Sequence, residues 1–295
     1  MSVYTVSPRF VVQFPHPGGE HRPGNTQRQP WNTGDHRRKF LKSRGRCINA
    51  SGRASEGDLV FWGEWEGPSY IVESWKPKDA LPRFLHRPVW EFPETNGARQ
   101  NTDPWVFGDS FKFSNCKQLT PRRNRSSLQS LTPGSLILFG STIGVEFVLD
   151  TALVVKGCSR FSPGDPPDCD EAFRICTVES LLTSAGRVDD PLTLYHGATY
   201  EAPINAMYSF VPCRPARARE ARFARPSISL PFINPRSTQT PSGVKTPRSE
   251  ADVREAWNCV RKQVLDAGCL LGVWFSTPQF DMKPCTGMAD SRPME

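Results

Sequence analysis

Proline interrupts this chain 28 times in 295 residues, and 22 glycines add further breaks. Proline lacks a backbone donor and its ring clashes with the preceding turn, so a chain this rich in it cannot be built from long helices. It must fold as short strands joined by many loops. Those strands are found from two-residue periodicity.

The segment that most rewards this reading is GDLVFWGEWEGPS, residues 57–69. In strand geometry Leu59, Phe61, Gly63 and Trp65 fall on one face, and Val60, Trp62, Glu64 and Glu66 on the other. Two indoles and two carboxylates thus share one rigid stretch. Either this is an edge strand whose carboxylates are solvated or paired with arginines, or it is one wall of a binding cleft. In the second case Trp62, Glu64 and Glu66 line the pocket, and Leu59, Phe61 and Trp65 belong to the core.

Around it, residues 9–14 form a first strand. Residues 69–75 follow as the hairpin partner of 57–65, with Gly67-Pro68 in the turn. Residues 76–106 read as a long Trp/Pro-rich loop folded across the aromatic strand, containing His86, Trp90 and Trp105. A short strand at 110–116 precedes the strongest β signals, 134–141 and 145–155, a buried hairpin around 142–144. A short helix near 178–182 and strands at 192–199 and 207–212 come next. An Arg/Pro-rich arm spans 214–248. The one long helix follows, with Ser249 as N-cap, Asp252 three residues on, a stripe of Val253, Trp257, Val260 and Val264, and Gly268 to end it. A strand at 269–276 and a loose tail from 278 complete the chain. The expected fold is α+β: a single domain over residues 1–295, with a mixed or barrel-like sheet and one long C-terminal helix.

The formal net charge is +7, which favours a polyanionic partner, with DNA the expected one. The nine cysteines contain no C-x-x-C pair, so neither a zinc ribbon nor a disulfide scaffold is expected. No stretch approaches the ~20 apolar residues of a membrane span, and no apolar signal run opens the chain. A soluble protein in a reducing cytoplasm is the expectation, with no membrane partner and no cofactor.

Four constellations carry candidate chemistry. His16, Glu20, His21 and His36 offer metal-ligating or acid–base groups, though their spacing fits no helical zinc motif, and a structural or phosphate-contacting role is the alternative. Cys116, beside Lys117, is the candidate nucleophile, because a nearby cation favours the thiolate, with Asp103 or Glu64 as acid–base partner. The basic set Arg37, Arg38, Lys39, Arg122, Arg123 and Arg125, with Arg214, Arg217, Arg219, Arg222 and Arg225, can converge on a phosphate groove. Trp62, Trp65 and Trp105, with Glu66, are then positioned to hold an extruded base. Finally, Tyr195-His196-Gly197 resembles the Tyr-His-Gly segment of ADP-ribosyltransferases, with Ala198 interrupting the match. That resemblance implies an NAD-binding role for His196.

Taken together, Pro15-His16-Pro17-Gly18-Gly19-Glu20-His21, His36-Arg37-Arg38-Lys39-Phe40 and Phe61-Trp62-Gly63-Glu64-Trp65-Glu66 resemble a bacterial or phage DNA-modification protein. The closest family is the protein of the 7-deazaguanine-in-DNA cluster that converts the 7-cyano base to the 7-amido base, and the likeness covers roughly residues 9–155. It implies hydration of a nitrile on a base already in DNA, with Cys116 as nucleophile, and other proteins of the modification cluster as partners. A non-catalytic reader of modified or flipped bases needs the same cleft without the nucleophile.

Overall fold

A computed structural model describes residues 8–75, 82–94, 97–120, 122, 124–162, 165, 167–181, 191–217, 224–231 and 246–282. The fold is mostly β, in the α+β class, with two mixed sheets and a C-terminal helix. Its strands are β1 (Val11–Pro15), β2 (Arg28–Gln29), β3 (Arg38–Ile48), β4 (Ala54–Glu64), β5 (Ser69–Ser74), β6 (Phe84–Trp90), β7 (Lys112–Phe113), β8 (Leu136–Ile143), β9 (Glu146–Phe161), β10 (Leu192–Gly197), β11 (Val211–Pro215), β12 (Ser227–Ile228), β13 (Leu270–Phe275) and β14 (Gln279–Phe280).

One sheet runs β1-β8-β9-β10-β7, with β12 on β9. Its centre is the expected β8–β9 hairpin. The other runs β13-β11-β4-β3-β6-β5-β2, with β14 on β6. Because β13 also pairs with β3, the strands β13-β11-β4-β3 close into a ring. Closure needs a glycine: a Cβ on Gly45 would lie 2.5 Å from the Trp274 carbonyl oxygen.

The aromatic strand β4 pairs with β3, not with β5. The β3–β4 turn is closed by Asn49, whose Oδ1 accepts the backbone N–H groups of Ser51 and Arg53, and by Gly52 at φ 81°. The basic run at 37–39 therefore opens a strand. β5 instead pairs with β6, which lies inside the stretch expected to be loop. The tail from 278 is not wholly loose, since β14 joins β6 in parallel.

Over residues 38–41 of β3 and 59–64 of β4, both faces of the hairpin are largely buried. Leu41, Leu59, Phe61 and Trp65 pack into one apolar cluster, and Phe40, Val60 and Trp62 into the other. The C-terminal helix, Glu250–Asp266, carries the expected capping box between Ser249 and Asp252. Its buried stripe of Val253, Trp257, Val260 and Val264 joins the second cluster. Among the described residues no helix is long and apolar enough to cross a membrane, and every cysteine is a free thiol.

Candidate functional site

The β3–β4 register places Arg38 opposite Glu64. Cross-strand neighbours on one face are within side-chain reach, so the two form a buried ion pair. Glu64 Oε1 also accepts the Asp103 backbone N–H at 3.2 Å and lies 3.3 Å from His36 Nδ1. Two residues on, Glu66 Oε1 lies 3.0 Å from the same nitrogen and accepts the Arg37 N–H at 2.8 Å. Its Oε2 accepts from Asn32 Nδ2. Burial pushes the Glu66 carboxyl up, but the His36 hydrogen bond and the charges of Lys39, His36 and Arg38 prevail and hold it below its ordinary range.

β9 contributes Asp150, the one carboxylate inside an otherwise apolar run. A buried charge needs a partner, and Arg225 supplies it from far along the chain. The Arg225 guanidinium also donates to Ser141 Oγ at 2.7 Å and lies over Trp62, 4.4 Å from the ring centroid. Burial raises the Asp150 carboxyl above its usual range, against the opposing charges of Arg225 and Arg38.

Asp103 and Cys116 meet. Asp103 Oδ1 accepts the Ser114 N–H at 2.9 Å, and Oδ2 accepts those of Asn115 at 3.0 Å and Cys116 at 2.8 Å. One carboxylate thus clamps three consecutive residues, and Lys117 follows with φ 58°, in the left-handed region. Cys116 is half-buried on this turn. Lys117 does not make it a resting thiolate. Burial and the negative charge of Asp103 push the thiol well above its ordinary value, outweighing Arg38 and Lys117. Burial likewise raises the Asp103 carboxyl, despite the donors from 114–116.

Of the expected catalytic residues, then, Cys116 and Asp103 are in contact, and Glu64 reaches the Asp103 backbone. The expected base platform is not assembled. Trp65 and Trp105 are fully buried, their rings 5.9 Å apart and tilted by 44° within the core. Trp65 spends its indole N–H on the Pro68 carbonyl. Trp62 is buried too, with Arg225 over its face and Phe40 at its edge. Glu66 is buried and saturated by His36, Arg37 and Asn32.

The expected phosphate set also divides. Arg38 and Lys39 point inward, and Lys39 Nζ donates to the Trp65 carbonyl at 2.7 Å. Burial lowers that amine to about 8. Arg37 is half-buried, Arg122 is exposed, and Arg123 lies outside the described residues. So do Arg219 and Arg222 of the arm. The histidines do not converge: His21 packs near His86, while His36 joins Glu64 and Glu66. The His36, Glu64 and Glu66 ligand atoms lie within 4.8 Å of one another, the donor set that could hold a cation. His196 sits on β10 beside Lys112, and the Tyr195 hydroxyl is a core group, donating to the Leu128 carbonyl at 2.7 Å.

Sequence reading missed Asp150, and it assigned Arg225 to a phosphate groove instead of this buried pair. The signal was present in one half only: a lone aspartate in VEFVLDTALVV demands a cation, but nothing local names which arginine answers. Compared with protein-family models, curated proteins and solved structures, the chain matches none.

Proposed function

We propose that this protein modifies a guanine-type base in DNA through Cys116, hydrating a 7-cyano-7-deazaguanine to its 7-amide. The observation that carries this is the contact between a half-buried cysteine and a buried carboxylate: Cys116 sits on a turn clamped by Asp103, with Arg38 close enough to act on its charge. A thiol held against a carboxylate can be deprotonated as it attacks, so it need not rest as thiolate. Sulfur bonds to the nitrile carbon, and the proton it gives up passes by way of Asp103 to the nitrile nitrogen. The product is a neutral thioimidate. Water then adds to it and the C–S bond breaks, giving the amide and the free thiol. One water is consumed and nothing is oxidised or reduced.

Lys117, exposed next to Cys116, puts a cation at the surface beside the thiol turn. The overall charge of +7 suits a polyanion. The test is nucleoside analysis of DNA carrying the 7-cyano base after incubation with wild-type protein and with Cys116→Ala. Conversion by the wild type alone supports the proposal, and no conversion by the wild type removes it. The high thiol pKa favours one second function, a reader that binds the modified base without changing it. It predicts base-selective retention of DNA, at salt concentrations that screen phosphate contacts, with no product formed.

A further inference from the structure

Behind the Arg38–Glu64 pair lies a small, partly open cavity of about 10 Å³ whose wall includes His16, Arg38, Trp62, Glu64, Asp150 and Thr151. A space of roughly 10–15 Å³ holds one water molecule, and it stays dry only if its lining is apolar. This lining is not. Of the wall's buried nitrogens without a hydrogen-bond partner among the described residues, which include Trp62 Nε1, two are Arg38 Nε and His16 Nε2. Arg38 is only 2% exposed. One nitrogen is an obligatory donor and the other can accept, which is the pairing a single water satisfies. The carboxylates of Glu64 and Asp150 offer its second proton an acceptor.

The cavity reaches the segment that carries Asp103. Pro104, in its wall, follows Asp103 directly, and the Arg38 charge bears on Cys116 as well. His16 is unprotonated and so free to accept a hydrogen bond from such a water. Burial, together with the charges of Arg38, Lys117, His36 and Arg225, keeps its imidazole neutral far below the usual histidine range. Its ring packs between Phe14, at 4.8 Å, and Phe139, at 5.8 Å, which fixes its orientation.

Building on the proposed thiol chemistry, we infer that this cavity is the site of the hydrolytic water, held between Arg38 Nε and His16 Nε2, and that His16 is the catalytic base acting on it. The water oxygen bonds to the thioimidate carbon, and the proton taken by His16 passes to the nitrogen. Collapse of the tetrahedral species breaks the C–S bond, and the hydroxyl proton returns to sulfur.

Loss of the base should stall the second step and spare the first. With DNA carrying the 7-cyano base, His16→Gln should turn over at least tenfold more slowly than wild type. Intact-mass measurement should then reveal the base-adducted protein accumulating, with the adduct on Cys116. A merely structural role for His16 would slow both steps and leave no adduct. Turnover by wild type with normal rates in His16→Gln, or a slow variant without adduct, overturns the inference while leaving the proposed function standing. An inactive wild type overturns both. Should His16→Gln not fold, a high-resolution crystal structure of the wild type decides the water site: density bonded to Arg38 Nε and His16 Nε2 supports it, and an empty cavity overturns it.

Discussion

The backbone N–H of Cys116 donates to Asp103 Oδ2 at 2.8 Å, and the same carboxylate holds the two residues before it. The candidate nucleophile is thus positioned by the group proposed to take its proton. Removing that carboxylate strands three backbone donors, two of which belong to buried residues. Stranded donors cost about 1–3 kcal/mol each. Asp103→Ala should therefore lose about 3–5 kcal/mol in urea unfolding. Cys116→Ala, which keeps the clamp, should lose far less.

The Arg225–Asp150 pair makes a second stability prediction. Truncating one partner of a buried ion pair leaves the other charge uncompensated, at a cost of about 3–5 kcal/mol. Arg225→Ala should show a loss of that size by chemical denaturation, enlarged because the guanidinium no longer covers the Trp62 ring. The double variant Arg225→Met/Asp150→Leu should be more stable than Arg225→Ala, because no orphan charge remains.

How much of this was legible follows from how local each signal is. The C-terminal helix is written in adjacent residues: a cap at Ser249, its partner Asp252 and a four-residue stripe. The β8–β9 hairpin is likewise local. The partner of β4 is not, since Phe61 and Trp62 would suit any neighbouring strand. Only pairing Arg38 against Glu64 distinguishes β3 from β5, and that requires reading Arg38 and Lys39 as buried rather than solvated. Alternation correctly separated Trp62 and Glu64 from Phe61 and Trp65. It could not say that both faces would be covered, and so Trp62, Trp65 and Trp105 looked available to a base when they are packing. Asp103 and Cys116 were legible as a pair because they lie close in the chain, with only the short strand β7 between them.

One buried and one half-buried histidine should make stability fall in mild acid. Burial and the Lys39 charge lower His86 to about 3, and His21, opposed chiefly by burial, Lys39 and Arg37, lies at about 4, against an ordinary value of 6.5. Below pH 6.5 the unfolded chain takes up protons that the folded one refuses, so their contribution to stability is lost as pH falls from 6.5 toward 3–4. Unfolding free energies at pH 7, 6, 5 and 4 should fall less steeply in His86→Gln than in wild type. Equal slopes would mean that His86 is protonated in the folded state.

Thiol labelling should separate exposed from restrained cysteines. Cys158 is exposed, whereas Cys116 is half-buried with its thiol held protonated. At pH 7.5 iodoacetamide should modify Cys158 well before Cys116, as read by peptide mass spectrometry. Asp103→Asn removes the charge that raises the thiol and should speed labelling of Cys116.

The central claim, that Cys116 is a nucleophile toward an electrophilic carbon on a DNA base, is tested most directly by acid-quenching the wild-type protein during turnover of DNA bearing the 7-cyano base and mapping adducts by peptide mass spectrometry. A base-derived adduct on the Cys116 peptide, absent in Cys116→Ala, is the predicted result. Amide product formed equally well by Cys116→Ala, with no adduct on the wild type, would contradict it.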